Sequence, residues 1–173
     1  MPLLKHFVAL WLIWSMSPAV CQQTQDSTRA VQPEAVVDSL YRLVTFGPDN
    51  PPRWDLVRSL FAEEAVIVLR TSRDASTLFT VDGFIAEFQD FAKNEKVVAS
   101  GFQERILKMK GTVYGDISHF FVLYEASVPG SEREPQQGVD SFQLIKTDST
   151  WKILSITNEI VGPSNPLPEE LFD

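Results

Sequence analysis

Asp140 alternates with Phe142 and Leu144, so along an extended segment its carboxyl shares a face with two apolar side chains. An acid in such surroundings resists ionisation, and in its neutral form it can donate a hydrogen bond. The same residue equally fits a satisfied polar position at a sheet edge, and the local pattern leaves both open. Glu104 stands beside Phe102 and Ile106 in the same way, and either faces an interior or pairs with a cation on a neighbouring strand. His119 alternates with Ile117 and Phe121, opposite the face that carries Phe120 and Tyr124, and there a lone histidine reads as a structural or interface residue. Ser141 has no base in register, which nucleophilic catalysis requires. Trp54 and Trp151 read as core residues, or else as platforms on which a ligand stacks. Glu63-Glu64 and the charges from Glu132 to Glu134 read as solvated turns.

Several chemistries are excluded by count. The chain has 1 cysteine, Cys21, and 2 histidines, His6 and His119, so no His/Cys cluster can hold a metal. No Asp-x-Asp-x-Asp run offers an all-oxygen cation loop, and no cofactor is expected. A net charge of −8 without a basic stripe repels phosphate backbones, so nucleic acid is not an expected partner. A single cysteine also excludes an intrachain disulfide.

The elements that must position these residues can be read along the chain. Met1 to Cys21 has the order of a secretory signal peptide: one cation, Lys5, then the apolar run Phe7 to Met16, then small residues. The run is too short to span a bilayer, and cleavage after Ala19 or Cys21 would release a secreted or periplasmic protein. Residues 22–32 are polar and read as a flexible leader, residues 33–161 as one domain, and residues 162–173 as a proline-rich acidic tail over the surface or disordered. After Pro33, Val36, Val37, Leu40, Tyr41 and Val44 recur at helical spacing until Gly47-Pro48. Trp54, Val57, Leu60 and Phe61 form the stripe of a second short helix. Ala65 to Leu69 is a buried strand, and Leu78 to Thr80 a short one. Asp82 then caps a third helix whose apolar face carries Phe84, Phe88, Phe91 and Ala92.

From Phe102 the period becomes that of strands: Phe102 to Tyr114, Ile117 to Val128, Gly138 to Lys146 and Trp151 to Ile160, with turns at Gly115-Asp116, Pro129-Gly130 and Thr147 to Ser149. Helices first and an antiparallel meander last indicate an α+β domain. In the first of these strands Phe102, Glu104 and Ile106 share a face, but Leu107, Met109 and Val113 carry the apolar pattern onward at odd positions. That phase change fits a β-bulge, or loose patterning in a straight strand. In the second strand both faces are apolar, so something besides the helices must cover one of them.

This order of elements, with Leu60 to Ala65 (LFAEEA) entering the first strand and Trp151-x-Ile153 in the last, resembles the nuclear transport factor 2-like superfamily, which includes ketosteroid isomerase, scytalone dehydratase and polyketide cyclases. The resemblance runs from Pro33 to about Ile160. It implies a cystatin-like cone: three N-terminal helices packed in a strongly curved antiparallel sheet, a cavity open at the wide end, and a homodimer through the outer face. Val139-Asp140-Ser141-Phe142 is similar to the segment that carries the isomerase's hydrogen-bonding aspartic acid, and Tyr41 lies near its tyrosine partner. Where the isomerase has its general base, four residues beyond the alanine matching Ala65, this chain has Leu69. The resemblance thus implies a pocket with Asp140, Tyr41, Glu104, Tyr124, Phe88 and Trp54 as candidate binding residues, and no assigned catalytic set. Three functions follow as expectations. The first is an exported module that binds a small apolar or amphipathic molecule. The second is an isomerase-, dehydratase- or cyclase-type enzyme using Asp140 with Tyr41 or Tyr124, and Glu104 as a relocated base. The third is a purely structural dimeric adaptor.

Overall fold

A computed structural model describes residues 31–72 and 74–172. The expected targeting segment and all but the end of the leader lie outside those residues. Proline opens α1 (Pro33–Val44), where its missing N–H costs nothing, and Val36, Val37, Leu40, Tyr41 and Val44 are buried on one stripe. Thr45 ends the helix in an extended conformation, and Phe46 then forms an isolated bridge with Phe102. Helix α2 (Trp54–Ser59) is shorter than its sequence stripe suggests, because Phe61 already belongs to strand β1 (Phe61–Ser72). Strand β2 (Ala75–Thr80) returns antiparallel to it. The hydroxyl of Thr80, not Asp82, caps α3 (Val81–Ala92) by accepting from the Gly83 amide. Asp82 sits in the first turn and pairs with Arg58 of α2.

A fourth helix, α4 (Glu95–Ser100), corrects the expectation of three. It is a six-residue segment capped by the Asn94 side chain, too short for a helical period to be visible in sequence. It ends at Gly101, at φ +80°, where an added Cβ would stand 2.2 Å from the Phe46 carbonyl oxygen. Only glycine allows that approach. Strands β3 (Gln103–Tyr114), β4 (Ile117–Ser127), β5 (Gln136–Thr147) and β6 (Thr150–Ile160) follow, close to the expected bounds. Two-residue turns join β3 to β4 and β5 to β6, the latter with Asp148 and Ser149 both at positive φ.

All six strands form one sheet in the order β2-β1-β6-β5-β4-β3. It is not wholly antiparallel: β1 runs parallel to β6, pairing Val66 to Val68 with Ser155 to Thr157. The first strand thus closes on the last, and only these two lack a hairpin between them. Register shifts between Ile106 and Lys108, so Leu107 is a bulge and the phase change in the sequence has that cause. The even positions of β4 and β5 face the helices. Phe120, Val122, Phe142 and Leu144 are buried there with Ile67 and Ile153, under α1 and α3, at about 1.5–3 kcal/mol for each large side chain. On the other face of β4, Ile117 is exposed and His119 and Phe121 half-buried. The tail is folded rather than loose, bridging Gly162 to Asn165 and ending in a 3-10 helix, Glu169–Phe172, packed on β3.

Candidate functional site

Between α1, α3 and the inner face of the sheet lies a cavity of about 180 Å³. Its polar groups come from five strands and one helix. Asp140 of β5 is opposite Asn158 of β6, and the pairing register sets their side chains together. The Asn158 amide donates to Asp140 Oδ1 at 2.8 Å and to the Tyr124 hydroxyl at 2.9 Å. The other carboxyl oxygen, Oδ2, accepts from the Tyr41 hydroxyl at 2.5 Å. Tyr124 of β4 is opposite Gly138 of β5, and a Cβ there would stand 2.3 Å from its hydroxyl oxygen. The glycine lets the ring lie over the neighbouring strand, which brings the phenol to Asn158. Leu40, Val44, Leu69, Phe84, Phe88 and Ile156 supply the apolar wall.

Burial decides the electrostatics. It pushes the Asp140 carboxyl from an ordinary 3.8 up to about 6, against the lowering effect of the bonds from Tyr41 and Asn158. Glu104 is half-buried as a residue and lines the same cavity from β3. Burial, and then the charge of Asp140, push its carboxyl from 4.5 up to about 8. Among the described residues no hydrogen bond or ion pair engages that carboxyl. Burial and then Asp140 also raise both phenols above their ordinary value, so Tyr41 and Tyr124 stay protonated and remain donors. Arg70 lines the mouth, but its guanidinium is held by Glu159, with Nη2 to Oε2 at 2.6 Å.

Five of the six candidate residues line this cavity: Asp140, Tyr41, Glu104, Tyr124 and Phe88. Trp54 does not; it stands behind the wall, with its ring 6.1 Å from that of Phe88. Leu69 does line the cavity and presents an apolar surface there. His119 is on the other face of the sheet, edge-on to Phe121 and bonded to Ser141 at 3.0 Å, which corrects the expectation that Ser141 has no base within reach: the contact runs diagonally across the strand pair. Asn158 was missed by the sequence reading. The alternation Ile156-x-Asn158-x-Ile160 was the available signal, since it places one polar side chain on an inward row. Among the described residues no group of three His, Cys, Asp or Glu side chains could hold a metal ion.

No family model matches the chain, and no curated protein matches it in sequence. Solved structures do. A protein with a cystatin-like fold from Caulobacter vibrioides aligns at a TM-score of 0.57 and 9% identity, over 76% of this chain and 88% of that one. An NTF-2 like protein of unknown function from Silicibacter pomeroyi aligns at 0.51 and 20% identity, over 74% and 92%. A candidate ketosteroid isomerase from Shewanella frigidimarina aligns at 0.55 and 15% identity, over 76% and 98%. The chain therefore has the NTF2-like, cystatin-like α+β fold, which by itself assigns no activity.

Proposed function

We propose that the protein is an exported binding module whose open, conical pocket holds a small apolar or amphipathic molecule. The observation that carries this reading is a built cavity whose wall is apolar at Leu69, where the resemblance would put a base. Its polar floor, Asp140 with Tyr41 and Asn158, is already satisfied internally, and its wall includes Leu69. Size narrows the occupant. An apolar cavity of roughly 150 Å³ accommodates benzene, so about 180 Å³ suits one ring with a substituent, larger ligands extending through the mouth. We further propose that the domain pairs with a second copy through the outer face of the sheet, which presents Ile117 and Phe121.

One observation favours a second reading. Glu104 is unengaged in the same cavity, and a carboxyl pushed up to about 8 is poised as a general base. With the Tyr41–Asp140 pair as donor, this would make an isomerase-, dehydratase- or cyclase-type enzyme, and one neighbour in fold is a candidate ketosteroid isomerase. A Δ5-type enone isomerisation assay, run beside calorimetric titration with one-ring ligands, separates the two. The binding-module reading expects saturable binding that Asp140→Ala weakens, with turnover at background. Robust turnover by the wild type, abolished in Glu104→Gln, would replace it with the enzyme.

A further inference from the structure

We infer that the cavity takes a small organic amine, held as its ammonium between Glu104 and Asp140, an assignment that rests on the pocket-binding reading above. The charge facing the cavity is one-sided. Its titratable and charged side chains are Tyr41 from α1, Arg70 from β1, Glu104 from β3, Tyr124 from β4 and Asp140 from β5, while α3 contributes only Phe84 and Phe88. Arg70 is already paired, since Nε and Nη2 both bond to Glu159 of β6 at 2.6–3.0 Å. Among the described residues no cation is paired with either cavity acid. A carboxyl without a partner at a half-buried site is unfavourable, and a ligand bringing its own positive charge relieves it.

The donor count fits as well. Each oxygen of Asp140 accepts one bond and keeps a lone pair, and Glu104 accepts none, so both acids retain acceptor capacity for the N–H groups of an ammonium. The body of the ligand would lie against Leu40, Val44, Phe84 and Phe88, and the aromatic faces attract a cation rather than an anion. A carboxylate or phosphate ligand would meet two acids of its own sign. A neutral ligand would leave Glu104 unpaired. The volume admits one ring carrying an aminomethyl group.

This assignment fixes the direction of the pH dependence. The empty site retains protons on Asp140 up to about 6 and on Glu104 up to about 8. An ammonium must displace them, so binding releases protons and tightens as pH rises, until the amine itself discharges at roughly pH 10. A neutral ligand that needs the protonated acid as a donor shows the opposite trend.

The test is isothermal titration calorimetry of the folded protein with benzylamine, and with benzyl alcohol and benzoate as neutral and anionic counterparts. Titrations at about pH 5.5 and 8.5, in buffers of different ionisation heat, read proton release directly. At the higher pH benzylamine should bind at least about tenfold tighter than benzyl alcohol, and about tenfold or more tighter than it does at the lower pH. Glu104→Gln should weaken benzylamine about tenfold and leave benzyl alcohol within about threefold, which a folding defect would not do. Benzyl alcohol binding as tightly as benzylamine, or an amine affinity that is flat or falls with pH, overturns the amine assignment while the pocket reading stands. Binding by none of the three overturns both.

Discussion

Replacing Glu104 with glutamine should stabilise the fold at alkaline pH while changing little near pH 4. Burial and the charge of Asp140 push this carboxyl from 4.5 up to about 8 in the folded protein. In the unfolded chain it titrates near its ordinary value. Between roughly pH 4.5 and 8 the folded state therefore keeps a proton that the unfolded state has lost, and stability falls as pH rises through that window. Moving an acid from 4.5 to about 8 corresponds to about 5 kcal/mol by the top of the window, as an upper bound. Asp140, moved from 3.8 to about 6, acts in the same sense with a bound of about 3 kcal/mol. Bonds from Arg105 and Arg70 hold Glu125 and Glu159 below the usual range, and their contribution is lost only in more acidic solution. Glutamine keeps the shape and removes the titration, so the variant's advantage over wild type should grow from near zero at about pH 4.5 to at most about 5 kcal/mol at about pH 8. Urea unfolding followed by fluorescence of Trp54 and Trp151 measures it, at constant ionic strength because exposed pairs respond to salt. A wild-type stability that is level or rises across the window would refute the reasoning, as would a variant running parallel to wild type.

Gly138→Ala should cost about 1–3 kcal/mol, because the new methyl meets the Tyr124 hydroxyl and displaces its bond to Asn158; an unchanged unfolding midpoint would contradict that contact. Phe121→Asp should turn a dimer into monomers or aggregate if the outer face is the interface, since an unpaired charge buried there costs several kcal/mol. A wild-type monomer by light scattering at high micromolar concentration counts against the pairing itself. N-terminal sequencing of exported protein should find Val20 or Gln22 first, and retention of Phe7 to Met16 or a lipid on Cys21 would reject the cleaved, soluble form.

How much of this was legible in the sequence depended on whether a local period carried it. The six strands and the helix that places Tyr41 and Leu40 announce themselves by alternation or by helical spacing, and the break between Ile106 and Leu107 encoded a bulge. Asp140 stood out because its row was otherwise apolar. The parallel pairing of β1 with β6 left no local trace, being fixed by contacts between distant segments, and so did the retreat of Trp54 behind Phe88. Asn158 was overlooked for a related reason: its importance comes from the residue across the strand pair, which the order of residues along its own strand does not reveal. Helix α4 has only six residues and the cap at Thr80 is a single hydrogen bond, both below what a pattern of hydrophobicity can resolve.

The closure of the first strand on the last has a consequence in time. Tyr41 and Asp140 are 99 residues apart in the chain, and Asn158, which ties Asp140 to Tyr124, lies on the final strand of the sheet. A loop of that length must close before Tyr41 meets Asp140, whereas Asn158 reaches Asp140 from only 18 residues away, and the long-range step makes folding slow relative to a helical bundle of equal size. A nascent chain that ends before residue 150 holds Tyr41 and Glu104 but neither Asn158 nor the β6 partner of β1. The pocket therefore cannot be completed before β6 is present, because that strand carries Asn158 and joins β1 to β5.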